Sequence, residues 1–206
     1  MALRSFSDYR VLIVPGLHNS GPEHWQSRWQ RLYPQFERVE QDDWNAPDLA
    51  SWSARLDQVR RQDARPTLIV AHSFGCLTTA HSLARDPHGV AGVLLVGPAD
   101  PEKFGVAGIL PHKRLPCPGI LIASQTDPWM TAEHAAQWAR RWNCKYIDGG
   151  ALAISTPSPA SVTGYMARRN CKRCLIWRKA INARVRQPDS TRSTNIAQQN
   201  FSRRSR

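Results

Sequence analysis

The residue best placed to do chemistry is a serine between a strand-like run and a helix-like run. In PTLIVAHSFGCL the apolar stretch ends at Ala71-His72-Ser73-Phe74-Gly75, and the helical pattern CLTTAHSLARD follows. Small residues on either side permit a sharp turn that lifts a hydroxyl above a sheet, as in the G-x-S-x-G elbow, here with alanine first. The plainer role for the same serine is to cap the helix. A carboxylate able to orient a base appears later, where ILIASQTDPW puts Asp127 directly after another strand-like run. Asp-Pro is equally a turn initiator. The loop VPGLHNSGPEHW follows the first strand, so the backbone N–H groups of Leu17 and Phe74 are the candidates for an oxyanion hole. His18 and His72 are possible pocket residues, as is His24, although loop histidines are commonly only solvated.

The elements that must position these residues alternate. YRVLIVPG is a buried strand closed by Pro15-Gly16, and GPEHWQSRWQRLYPQF sets Trp25, Trp29 and Leu32 on one helical face, with Pro22 suited to a first turn. FERVEQD is a short strand. DLASWSARLDQVRRQ carries Leu49, Trp52, Leu56 and Val59 at helical spacing behind Asp48, a natural N-cap. GVAGVLLVGPAD, CPGILIASQTD and CKYIDGG are further strands, with a helix over Thr131–Trp142 between the last two. This βαβα order predicts an α/β fold: a mostly parallel sheet with helices on both faces. Trp25, Trp44, Trp52 and Trp129 fit either a pocket or a core.

Three segments together resemble one family. Pro15-Gly16-Leu17-His18-Asn19-Ser20-Gly21-Pro22-Glu23-His24-Trp25-Gln26, then His72-Ser73-Phe74-Gly75-Cys76, then Ser124 followed by Asp127-Pro128, are similar to the small serine hydrolases typified by retinoblastoma-binding protein 9. The likeness spans about residues 9–150. It implies an α/β-hydrolase without a large lid domain, acting on an acyl ester or related small acyl substrate through an acyl-enzyme. Ser73 would be the nucleophile and Asp127 the acid. The family's base is a histidine after the last strand, in a Gly-His-x-Asn-x-x-Ser-Gly pattern.

That histidine is missing. The last of seven histidines is His134, and the expected place reads Leu152-Ala153-Ile154-Ser155-Thr156. Placing one extra G before a permitted coding of Ala153–Met166 changes the translation to GHINAESGFGNWLH, which fits the family pattern. A single-nucleotide loss near Ala153 is therefore expected, giving an out-of-frame tail in place of the last helix and an impaired enzyme. His134 is the one candidate for a substitute base, although a solvated helix face suits it better.

Composition divides the chain at the same point. Of 28 Lys+Arg and 16 Asp+Glu in 206 residues, residues 1–150 hold 16 and 15, a net of +1, leaving 12 and 1 for residues 151–206, a net of +11. We therefore divide the chain into an α/β-hydrolase domain over 5–150 and a basic tail over 151–206 expected to lack fixed structure. The tail could hold nucleic acid non-specifically, but it lacks a recognisable binding fold. Cys171 and Cys174 have zinc-knuckle spacing without a second ligand pair. No metal or organic cofactor is expected, and the expected partner is a small acyl substrate rather than nucleic acid or membrane. Five cysteines at irregular spacing, with no export signal or membrane span, suggest a reducing, cytoplasmic setting. The other functional class the sequence allows is a non-catalytic, protein-binding homologue of the same fold.

Overall fold

The computed structural model describes residues 9–151. The tail and the frameshift expectation lie outside them.

Six strands form one sheet: β1 (Arg10–Val14), β2 (Phe36–Arg38), β3 (Thr67–Ser73), β4 (Val90–Pro98), β5 (Gly119–Ala123) and β6 (Lys145–Asp148). Their order is β2-β1-β3-β4-β5-β6, and every pairing is parallel. Helices α1 (Trp25–Leu32), α2 (Leu49–Arg60), α3 (Phe74–Arg85) and α4 (Ala132–Arg141) make the crossovers, with a short 3-10 turn at Ala107–Ile109.

The strands read as continuous apolar runs because both faces are covered. Alternation sends Leu12, Val14, Ile69, Ala71, Leu95 and Leu121 to one face, where they pack with α2, α3 and α4. Val11, Ile13, Leu68, Val70, Leu94 and Ile120 go to the other, with Trp25 and Trp29 of α1. The expected α/β architecture, a parallel sheet with helices on both faces, is what the chain adopts.

Caps fix where the helices begin. Asp48 accepts the Ser51 N–H at 2.7 Å and Thr131 accepts the His134 N–H at 3.2 Å. The first helix departs from expectation at both ends. It starts at Trp25 rather than in a turn led by Pro22, because the His24 side chain accepts the Gln26 N–H and takes the cap position. Leu32 does not join Trp25 and Trp29 in the core. It is 60% exposed at the last helical residue, where the chain turns away toward β2. Trp25 and Trp52 are core residues, Trp44 is half-buried, and Trp129 is 64% exposed.

The sheet's connectivity locates a crevice. From β1 the chain runs outward through α1, on one face, to β2. It then returns through α2 to β3, and α3 leaves on the opposite face. The loops after β1 and β3 therefore part at a topological switch point, where ligands of open α/β sheets bind.

Candidate active site

Ser73 is the last residue of β3 and the N-cap position of α3, with φ 52° and ψ −125°. An L-residue rarely takes this left-handed conformation, which costs on the order of 1–3 kcal/mol and persists only where its surroundings enforce it. Two glycines provide the enforcement. A β-carbon on Gly75 would collide with the carbonyl oxygens of Val14 and Pro15, and one on Gly16 would lie 2.6 Å from Ser73 Cβ and 3.1 Å from Phe74 N. The turn and the loop after β1 are thus in direct backbone contact. Ser73 is half-buried and makes no side-chain cap hydrogen bond, so its hydroxyl is not used as a helix cap.

The same contact sets Gly16, the residue before Leu17, against the backbone N of Phe74. Phe74 is the first residue of α3, where an N–H has no acceptor within its own helix. Leu17 N–H makes no hydrogen bond among the described residues. Its neighbours are tied down: His18 N–H donates to Trp44 O at 2.8 Å, and Asn19 N–H to Gly16 O at 3.1 Å. His18 itself is exposed, its Nδ1 2.9 Å from Asn45 Oδ1.

His72 is the residue before Ser73 in β3. Strand alternation turns it to the α1 face, where it is buried with its ring 4.6 Å from His24 and 6.1 Å from Trp25. Burial, reinforced by the Arg38 charge, pushes the His24 pKa down to about 4. Its Nδ1 accepts an N–H, so the ring is neutral with its proton on Nε2.

Asp127 follows β5 on the same edge of the sheet, half-buried, with Oδ1 accepting the Trp129 N–H at 2.9 Å. The loop carrying it is pinned to the end of β6: Gly150 O accepts from Gln125 N–H at 2.9 Å and Ser124 Oγ at 3.0 Å, and Gln125 Nε2 donates to Asp148 at 2.6 Å. Strands β3 and β5 are separated by β4 alone, about 10 Å at the usual strand spacing. An imidazole hydrogen-bonded at both nitrogens spans roughly 8 Å, so this edge has the width for a histidine between the two side chains.

His134 is not on a solvated face. It is half-buried at the start of α4, with Nδ1 3.4 Å from Asp100 Oδ2 and Nε2 3.3 Å from Glu102 Oε2, and the Trp138 indole N–H also donates to Nε2 at 3.2 Å. Burial raises the Asp100 pKa, but hydrogen bonds from Glu102 and the neighbouring His134 outweigh it and leave the group below the ordinary range. Asp100, Glu102 and His134 are also the one cluster of metal-ligand type among the described residues. Both ring nitrogens already face protein partners, so the cluster reads as a clamped histidine.

Three polar residues support the site through contacts that no local sequence pattern marks. Gln26 is fully buried and its amide donates to Val14 O at 3.3 Å and Val70 O at 3.1 Å, joining β1 to β3. Arg38 reaches from β2 to the loop after β1, and Asp100 holds His134. Gln26 sits inside the GPEHWQ segment; the partners of the other two come together only across the fold. The buried Cys76 of HSFGC is no rival nucleophile, because burial pushes its thiol pKa far up.

The Serine hydrolase family matches residues 11–153. The chain belongs to that family. Among solved structures, this serine hydrolase is similar to a YdeN-like hydrolase from Pectobacterium atrosepticum, with 29% identity over 85% of this chain and 94% of that one, at a TM-score of 0.75. The ydeN product of B. subtilis is 20% identical, covering 67% and 83% at a TM-score of 0.54. A monoacylglycerol lipase from Paleococcus ferrophilus is 11% identical, covering 84% and 94% at 0.58. The last two share the fold alone. No curated protein matches the chain. No helix of the described residues is long and apolar enough to cross a membrane.

Proposed function

We propose that this serine hydrolase cleaves acyl esters through an acyl-enzyme on Ser73, and that the chain as it stands does so slowly. Ser73 Oγ adds to the acyl carbonyl, and the resulting oxyanion accepts hydrogen bonds from Leu17 and Phe74 N–H. Expulsion of the alcohol leaves the acyl group on Ser73, and water releases it. The observation that carries the reading is the left-handed Ser73, uncapped, at the end of β3 against Gly16. Membership of the family supports it.

The slow step follows from the missing base. A serine hydroxyl is a weak nucleophile at neutral pH until a neighbouring base takes its proton. Asp127 would orient an imidazole and stabilise its charge, but no histidine follows His134, and His134 is engaged at both nitrogens. Losing a triad histidine costs about a millionfold in turnover, with roughly 10³–10⁴ over water surviving from the oxyanion hole and binding.

The test supplies the base from solution. Turnover of p-nitrophenyl acetate is followed with and without free imidazole, for the chain and for Ser73→Ala. The expected result is imidazole-dependent, saturable turnover above the imidazole blank, abolished in Ser73→Ala. Turnover indistinguishable between the two proteins would contradict the proposal and favour a non-catalytic binding protein.

A further inference from the structure

The backbone N–H of Leu17 is aimed by its own peptide plane. In a planar trans peptide the C=O and N–H point in opposite directions, so whatever fixes Gly16 O fixes Leu17 N–H. Gly16 O accepts the Asn19 N–H at 3.1 Å. Asn19 N–H is brought back to Gly16 O by a turn whose third residue, His18, has φ 62°, and Asn19 itself follows with φ 62°. Positive φ is uncommon for any residue but glycine, even for asparagine and histidine, which take it more often than most, so two such residues in succession call for a hold from outside the loop.

Arg38 supplies one. Its side chain is 9% exposed, at the end of β2. Nη1 donates to Asn19 Oδ1 at 2.5 Å and Ser20 O at 3.1 Å, Nη2 to Ser27 Oγ at 2.8 Å, and Nε to Gln30 Oε1 at 3.1 Å, with Glu40 at 3.9 Å. Asn19 Oδ1 also accepts the Ser20 N–H at 2.7 Å, and Ser27 Oγ donates to Ser20 O at 2.7 Å. A planar guanidinium can satisfy this spread of acceptors at once; an ammonium cannot.

We infer that Arg38 is a positioning residue: by gripping Asn19 and Ser20 it holds the left-handed loop that aims Leu17 N–H at the oxyanion. The inference rests on the acyl-transfer reading above. It predicts that Arg38 governs the order of that loop, and governs turnover through it rather than through substrate binding.

The experiment uses the full chain, Arg38→Lys, and Asn19→Ala, which cuts the grip while leaving Arg38 its bonds to Ser20, Ser27 and Gln30. Amide hydrogen exchange is read at Asn19 and across α3, beside imidazole-supported p-nitrophenyl acetate turnover. In both variants exchange at residue 19, corrected for the intrinsic rate of the residue there, should rise at least roughly tenfold with α3 unchanged. Turnover should fall about 100-fold, the scale of one lost oxyanion donor, with KM moving less than about threefold. Unchanged Asn19 exchange, exchange rising equally in α3, or turnover preserved despite a loosened loop would each overturn the Arg38 inference. Failure of the acyl-transfer reading shows separately, as absence of Ser73-dependent turnover in the parent chain.

Discussion

Gly16 and Ser73 lie so close that a β-carbon on residue 16 would sit 2.6 Å from Ser73 Cβ. The intruding atom would also meet the His72 carbonyl oxygen at 3.0 Å, so it faces backbone that cannot swing aside. Gly16→Ala should push the loop off the strained turn, lowering stability by about 1–3 kcal/mol and imidazole-supported turnover by about 100-fold. Gly21 is the control, since a β-carbon there meets nothing within 4 Å. Chemical denaturation and ester turnover of the two variants check the contrast: Gly21→Ala should match the parent.

How far the sequence disclosed this arrangement depends on distance along the chain. The sharp strand-to-helix turn at Ser73 was legible because an apolar run, small flanking residues and a helical pattern are consecutive. Asp48 announced its cap for the same local reason. The start of α1 misled because His24, not a preferred cap residue, takes that position through its ring nitrogen. Leu32 matched the periodicity, but periodicity carries no information about where a helix stops covering a sheet. The hold of Arg38 on Asn19 spans 19 residues and the reach of Gln26 to Val70 spans 44. Such contacts exist only once parallel strands have brought their ends to one edge.

A histidine near the exit of β6 should restore the base. Gly150 is bound by the loop that carries Asp127, so the chain leaves β6 beside that acid. Position 153 itself lies outside the described residues. Ala153→His should raise turnover without imidazole by about 100-fold or more, the usual contribution of a positioned base. Adding Asp127→Asn should reverse most of the gain. Steady-state kinetics of the single and double variants give the answer.

His24 should make the protein acid-sensitive. Its pKa is about 4 in the folded protein, held down first by burial and then by Arg38, against an ordinary 6.5. Between these values the unfolded chain binds a proton that the folded one does not, so the contribution of the neutral His24, whole above about pH 6.5, shrinks as pH drops and is gone below about 4. The total is on the order of 3 kcal/mol. His24→Asn keeps a capping side chain but cannot titrate. The difference in urea midpoint between the parent and this variant should therefore vary across that window and level off above it.

The packing of α2 against α3 depends on a buried ion pair. Arg60 Nη1 meets Asp57 Oδ1 at 3.0 Å, with the two side chains 4% and 6% exposed. Asp57 also accepts from Ser82 Oγ at 2.5 Å, tying α2 to α3. Asp57→Ala leaves a buried guanidinium without its carboxylate and should cost about 3–5 kcal/mol. Ser82→Ala should cost about 1–3 kcal/mol. Equilibrium denaturation of both variants tests the ranking.

The claim that Ser73 is a nucleophile is tested most directly by trapping its acyl-enzyme. The chain is mixed with p-nitrophenyl acetate and imidazole, quenched in acid, digested and weighed by mass spectrometry. Attack forms the Ser73 Oγ–acetyl bond and breaks the bond to p-nitrophenolate, with the hydroxyl proton passing to imidazole. The account predicts one acetyl group on the peptide containing Ser73, absent from Ser73→Ala. An unmodified Ser73 peptide, or acetyl found only on lysines, would contradict it.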